Sequence, residues 1–312
     1  MQVDKIPRNI FAGIMKNVNG RITWVVTGVL FSILWASAST ATKIGLRDAQ
    51  PLVIAQTRFV LASAVMLGIA YLITKQPLPK GRQWKQLMIY GLLNISIYLG
   101  LYVVAMQDVT AGIGALAVAS NPVLIGLLSV LFLGKKLQPA VIGAIIICMS
   151  GVLCASWPLL GNASVGIKGL MLLFISMLSY SAGAVYFSAR DWSGLSLLAI
   201  NGWQTFFGGL FLMPVTLFFY HGPSNHYGTA FWSSVTWLAV PVSFFAVQLW
   251  LRLLQWNAVR AGLWLFLCPV SGYLIAAWLL KDHISFYTIA GIALVIAGLL
   301  LSRKNSSEVK AE

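Results

Sequence analysis

Residues 121–154 read NPVLIGLLSVLFLGKKLQPAVIGAIIICMSGVLC, and residues 268–301 read CPVSGYLIAAWLLKDHISFYTIAGIALVIAGLLL. The two stretches align without a gap, 147 residues apart. Pro122 meets Pro269, Val123 meets Val270, Leu127 meets Leu274, Leu133 meets Leu280, Gly151 meets Gly298 and Leu153 meets Leu300. Shared leucines carry little weight between two leucine-rich segments. Prolines at corresponding depths, each followed by a charged turn and a glycine near the end of the next apolar run, carry more. A weaker echo pairs Trp35-Ala36-Ser37 with Tyr180-Ser181-Ala182. The chain reads as a duplication, and the duplicated unit is almost wholly apolar.

Working outward, ten apolar stretches free of carboxylates fill the chain: 24–46, 52–74, 86–106, 111–133, 139–157, 166–188, 195–220, 235–256, 261–280 and 284–302. A helix rising about 1.5 Å per residue crosses about 30 Å of hydrocarbon in roughly 20 residues. Of the 312 residues, 59% are hydrophobic and 9% charged, and the mean hydropathy is +0.85. Those values exclude a soluble domain. Each connection is too short to hold one. The expected organisation is an N-terminal tail over 1–23, a five-helix repeat over 24–157, a second over 166–302, and a C-terminal tail over 303–312. Basic residues, the apolar run Trp24 to Trp35 and then Ala36-Ser37-Ala38 imitate a cleavable leader. The apolar run continues past Ala38, which argues for retention.

Charge gives the expected orientation. Sixteen of the 21 lysines and arginines fall in tails and turns on one side, three on the other, and Lys43 and Arg58 inside spans. Positive residues stay inside, so both termini are expected in the cytoplasm. The net charge of +14 is then topological and implies no nucleic-acid partner. Five spans per repeat is an odd number, so the second repeat enters the membrane from the opposite face. Inverted halves have two near-equivalent mutual tilts, the physical basis of alternating access around a midplane site. The fold class is an all-α integral membrane protein, with ten transmembrane helices as two inverted five-helix repeats around a central cavity.

Several residues carry a resemblance. Trp35-Ala36-Ser37-Ala38 followed by Lys43, and Pro51 followed by Arg58, open the first repeat. Asn121-Pro122-Val123 with Phe132-Leu133-Gly134, and Cys268-Pro269-Val270 with Leu279-Leu280, mark the later turns. Over about residues 24–303 the chain resembles the drug/metabolite transporter superfamily in its EamA-type ten-helix form. The resemblance implies a central cavity, helices five and ten at the periphery, and export of amino acids or other small metabolites. The family pattern places a glutamate after the leucine-glycine of each repeat. Here Lys135 stands in the first position and Asp282 only approximates the second.

Polar groups in hydrocarbon must be paired or face a cavity. Trp35, Ser39 and Lys43 recur every four residues on one helix face, as do Asn94, Tyr98 and Tyr102 on another. Such stripes act as interhelical glue or as a cavity wall, and two from one repeat favour a shared cavity. Asn121, Tyr180, Asn201, Gln204 and Gln248 add single polar positions, and Trp203 and Trp264 lie deeper than the interfacial tryptophans. These thirteen, with Arg58, are the expected substrate pathway. Lys43 and Arg58 either reach headgroups and backbone carbonyls, or one of them attracts a substrate carboxylate. All seven carboxylates (Asp4, Asp48, Asp108, Asp191, Asp282, Glu308 and Glu312) lie in tails or loops. That favours a facilitator or exchanger, or a proton coupling based on Lys43.

The expected partners are a small-molecule substrate and the lipid bilayer; whether the chain works alone or as a homodimer is left open. Cys148, Cys154 and Cys268 read as buried apolar residues, and His221, His226 and His283 as solvated loop residues. No cofactor, metal site or catalytic constellation is expected. A membrane-embedded enzyme and a channel are accordingly disfavoured. A nucleotide-sugar or phosphorylated-metabolite exchanger on the same scaffold is the nearest rival, and asks for more buried cations.

Overall fold

The structure is a computed structural model and describes residues 8–109, 114, 117–134, 136–160, 166–192, 194–280 and 286–304. Every regular element among them is helical. Helix α1 spans Arg8–Gly45; α2 spans Pro51–Gly68 and continues as a π-helical turn, Ile69–Ile73. Helix α3 runs through Arg82–Gly91, a π-helical stretch Leu92–Ile97, and Tyr98–Asp108. Then come α4 (Asn121–Leu133), α5 (Pro139–Leu160), α6 (Ile167–Ala189) and α7 (Leu197–Phe218). Helix α8 is also composite: Thr229–Trp237, a π-helical stretch Leu238–Ala246, and Val247–Trp256. Helix α9 passes from Ala258–Leu263 through a 3-10 turn, Trp264–Phe266, into Leu267–Leu280; α10 is Phe286–Lys304. Most of the start of the expected fourth span, together with Lys135, Lys281, Asp282 and His283, lies outside the described residues.

Local chemistry sets the boundaries. Pro51 and Pro122 stand in the first turns of α2 and α4, where a missing N–H costs nothing. Ser196 caps α7 by accepting from Ala199 N at 3.2 Å, and Asn257 caps α9 by accepting from Arg260 N at 3.0 Å. Gly134, at φ +60°, ends α4 with its N–H returning to Val130 O at 3.1 Å. In α8 the π-helical stretch contains Pro241, which lacks an N–H and whose ring crowds the carbonyl four residues before it.

Ile22–Gly45, Pro51–Ile73, Arg82–Asp108, Ile167–Ala189 and Thr229–Trp256 are each long and apolar enough to cross a bilayer. Asn121–Leu133, Pro139–Cys154, Ala258–Gly272 and Ile289–Leu301 are shorter apolar helices. Large apolar side chains such as Leu131, Phe132, Ile146, Phe174, Leu217 and Leu300 stand exposed on the outer faces. Lipid, not water, is the solvent that tolerates such a surface.

The two halves are interlocked by an internal symmetry. Helices α5 and α10 pack closely along their length. A Cβ on Gly151 would lie 2.8 Å from Gly291 O and 2.9 Å from Val295 N; one on Gly298 would lie 3.0 Å from Ala144 O and 3.1 Å from Cys148 N. Ala144 and Gly291, Cys148 and Val295, and Gly151 and Gly298 are all 147 residues apart. Exchanging the halves therefore maps this contact onto itself, as a twofold axis between α5 and α10 requires. The remaining pairings obey the same rule. Helix α2 packs on α7, α1 packs on α8 and α9, and α6 packs on α3 and α4. Each first helix thus sits against the third and fourth of the opposite half. The two π-helical stretches of α3 and α8 also correspond, falling in the third helix of each half.

Candidate substrate cavity between the repeats

Between the halves lies a small, partly open cavity. Helix α1 contributes Trp35, Ala36, Ala38, Ser39 and Thr42, α2 contributes Arg58, and α3 contributes Tyr98, Leu99 and Tyr102. Val118, Val242 of α8 and Cys268 of α9 complete the wall. The walls come from both repeats, as an inter-repeat site requires.

Arg58 is the charged group of this wall. It is 3% exposed, and its Nε donates to Ser243 Oγ at 2.7 Å. Among the described residues no carboxylate pairs with it. A buried guanidinium without a counter-ion is costly in a low-dielectric interior, so its place on a cavity wall is chemically pointed. Behind it a polar chain crosses the molecule. Asn201 Nδ2 donates to Ser243 O at 2.8 Å, Gln204 Nε2 donates to Asn201 Oδ1 at 3.0 Å, and Asn94 Nδ2 donates to Gln204 Oε1 at 3.0 Å. Both ends of this chain join the second helix of one half to the π-helical stretch of the other half's third helix. Arg58–Ser243 and Gln204–Asn94 therefore join equivalent elements of the two halves.

Toward the N-terminal end of α1 the cavity is closed by stacked rings. Tyr180 packs 4.6 Å from Tyr98, 5.9 Å from Trp35 and 5.6 Å from Trp250, centroid to centroid. Phe31 stacks on Trp250 at 5.1 Å. Beyond them Trp264 lies over Gly28, with Trp24 at 6.3 Å and the Trp264 carbonyl accepting from Ser32 Oγ at 2.9 Å.

The structure gathers Trp35, Ser39, Arg58, Tyr98 and Tyr102 from the expected pathway onto this wall. It places the other expected residues elsewhere. Lys43 Nζ donates to the carbonyls of Met106 and of Val109, the latter at 2.8 Å, and so caps the C-terminal end of α3. Asn94, Asn201 and Gln204 form the polar chain, and Tyr180 is wholly buried in the ring stack. Asn121 accepts from Ser181 Oγ at 3.0 Å and donates to Met177 Sδ, fastening α4 to α6. Trp203 is not deep: it meets Trp84 edge-on at 4.7 Å and donates to Tyr71 OH at 2.6 Å. Trp264 belongs to the seal, and Gln248 is half-buried on α8. Sequence reasoning missed Thr42, Leu99, Val242, Cys268 and the Arg58 partner Ser243. Thr42 was legible, since 35, 39 and 42 follow one helix face; an apolar Val242 or Leu99 leaves no such trace.

Two inverted, interlocked helical halves with a cavity between them define a membrane transporter. The chain belongs to the EamA-like transporter family, whose description matches residues 22–157 and again 167–303. It is 28% identical over 277 residues to Protein PecM of Dickeya dadantii, covering 86% of this chain and 88% of that protein. It is 25% identical over 287 residues to an uncharacterized transporter of Archaeoglobus fulgidus, covering 89% and 97%. It is also 32% identical over 162 residues to YedA, an uncharacterized inner membrane transporter of Escherichia coli, covering 51% and 52%. A solved crystal structure shares the fold at a TM-score of 0.70 and 17% identity, over 92% of this chain and 98% of that one.

Proposed function

We propose that this transporter exports small amphipathic metabolites bearing a carboxylate, amino acids among them, by alternating access. The observation that carries the reading is Arg58, a buried guanidinium on the wall of an inter-repeat cavity with no counter-ion among the described residues. Its planar fork suits a carboxylate in two parallel hydrogen bonds. Trp35, Tyr98 and Tyr102 supply flat walls with polar edges for the rest of the solute. The Arg58–Ser243 and Gln204–Asn94 contacts, each bridging the two halves, are the kind that a tilt of the halves would exchange.

A dianionic nucleotide-sugar cargo asks for a second free cation. Lys43 is engaged with two backbone carbonyls, which argues against that reading and against Lys43 as a proton relay. The lysine and arginine asymmetry supports both termini on the cytoplasmic side. The inner-membrane name of the relative YedA supports the bacterial cytoplasmic membrane as the location.

The test is an overexpression screen against toxic amino acids and related carboxylate-bearing metabolites, followed by efflux of labelled solute from loaded vesicles. Protection against one or more of them, lost in Arg58→Gln, is expected. Protection against none, or an Arg58→Gln protein that protects as well as the parent, overturns the proposal.

A further inference from the structure

Resting on that reading of Arg58, we infer that within the carboxylate-bearing class the cavity prefers a solute of net charge −1, with zwitterionic amino acids as poorer cargo, and that an inside-negative membrane potential expels the anion without a coupled ion. The argument is one of charge balance. Among the described residues the cavity wall carries one cation and no acid: Arg58 stands among Trp35, Ser39, Thr42, Tyr98, Tyr102 and apolar residues.

The carboxylates among the described residues, Asp48, Asp108 and Asp191, do not line the cavity. Asp48 sits in the turn between α1 and α2, where its Oδ2 accepts from Phe231 N at 3.1 Å and so caps the start of α8. Asp108 ends α3 beside Gly166 and Gly169 at the start of α6. Asp191 follows the end of α6. Asp4, Asp282, Glu308 and Glu312 fall in the tails and the last turn of the sequence.

A monoanion bound at Arg58 cancels the buried charge. A zwitterion also brings an ammonium, which finds no carboxylate on this wall and is repelled by Arg58 in a medium that screens poorly. The ring faces of Trp35, Tyr98 and Tyr102 attract a cation, but much more weakly than an anion does.

The same balance decides the energetics. Arg58 stays with the protein while the cargo crosses, so each outward passage moves one negative charge. An inside-negative potential then drives export by itself. This accounts for membrane spans that lack a carboxylate relay: there is no ion to couple.

The experiment uses the full chain in proteoliposomes, with protein-free vesicles as background. The probes are labelled L-3-phenyllactate and L-phenylalanine, which share ring and carboxylate and differ by a hydroxyl in place of the ammonium. Phenyllactate is expected to move with at least tenfold higher kcat/KM, and its efflux to accelerate when valinomycin and potassium set the interior negative. Phenylalanine transport at equal or higher kcat/KM overturns the charge selectivity, yet leaves Arg58 as the carboxylate dock if Arg58→Gln still loses both solutes. Phenyllactate efflux that ignores the potential overturns the potential-driven step. If neither solute moves above background, or Arg58→Gln moves phenyllactate like the parent, the reading of Arg58 itself falls. Arg58→Lys, which keeps the charge, serves as the control for folding and should retain the potential response.

Discussion

Two cations inside apolar spans look alike in the sequence, and their surroundings give them different work. Arg58 stands on the cavity wall, while Lys43 closes the carbonyl end of α3. Replacing Arg58 by Gln should raise the half-saturation concentration for carboxylate solutes about 10- to 100-fold, since a hydrogen bond to a charged group contributes about 1.5–3 kcal/mol. Arg58→Lys should fall between, keeping the charge but losing the planar fork. Both are read from uptake kinetics in vesicles. Lys43→Met should leave that concentration unchanged and instead lower thermal stability by about 1–3 kcal/mol, because two carbonyls lose their donor; melting in detergent measures it. The periodic stripes made Trp35, Ser39, Tyr98 and Tyr102 visible before any fold was known. The polar side chains Asn94, Asn201 and Gln204 were visible too, but not their common chain, because a hydrogen bond needs both partners in place.

Helices α5 and α10 illustrate how little an element's composition says about its partner. Both are apolar all round, and nothing in their sequences alone says that they touch each other. The reciprocal fit at Gly151 and Gly298 does. Either Gly→Leu substitution must push the helices apart, and should cost more than about 2 kcal/mol, seen as a lowered midpoint of thermal unfolding in detergent. The π-helical stretches Leu92–Ile97 and Leu238–Ala246 were only half legible. Pro241 signals a disturbed turn, whereas the stretch in α3 contains no proline. Widened turns of this kind recur at functional sites, and here they hold Asn94 and Ser243 at the two ends of the polar chain.

Across the complete chain, inversion of the halves makes equivalent turns face opposite sides. With the native cysteines replaced, Arg47→Cys in the α1–α2 turn should react with an impermeant thiol reagent added outside intact cells. Arg190→Cys, in the corresponding turn after α6, should react only after permeabilisation. Labelling of both from one side would contradict the inverted arrangement. Hydropathy, an odd number of spans per repeat and the lysine and arginine bias were enough to read a duplicated helical membrane protein and its expected orientation. These are one-dimensional properties, because lipid imposes length and apolarity on each span separately. Which helix lies against which, that α1 reaches across to α8 and α9 while α6 reaches to α3 and α4, and that Arg58 rather than Lys43 meets the cavity, were decided by packing. Side chains distant along the chain become neighbours only once close-packed helices choose their faces, and no periodicity within a single span records that choice.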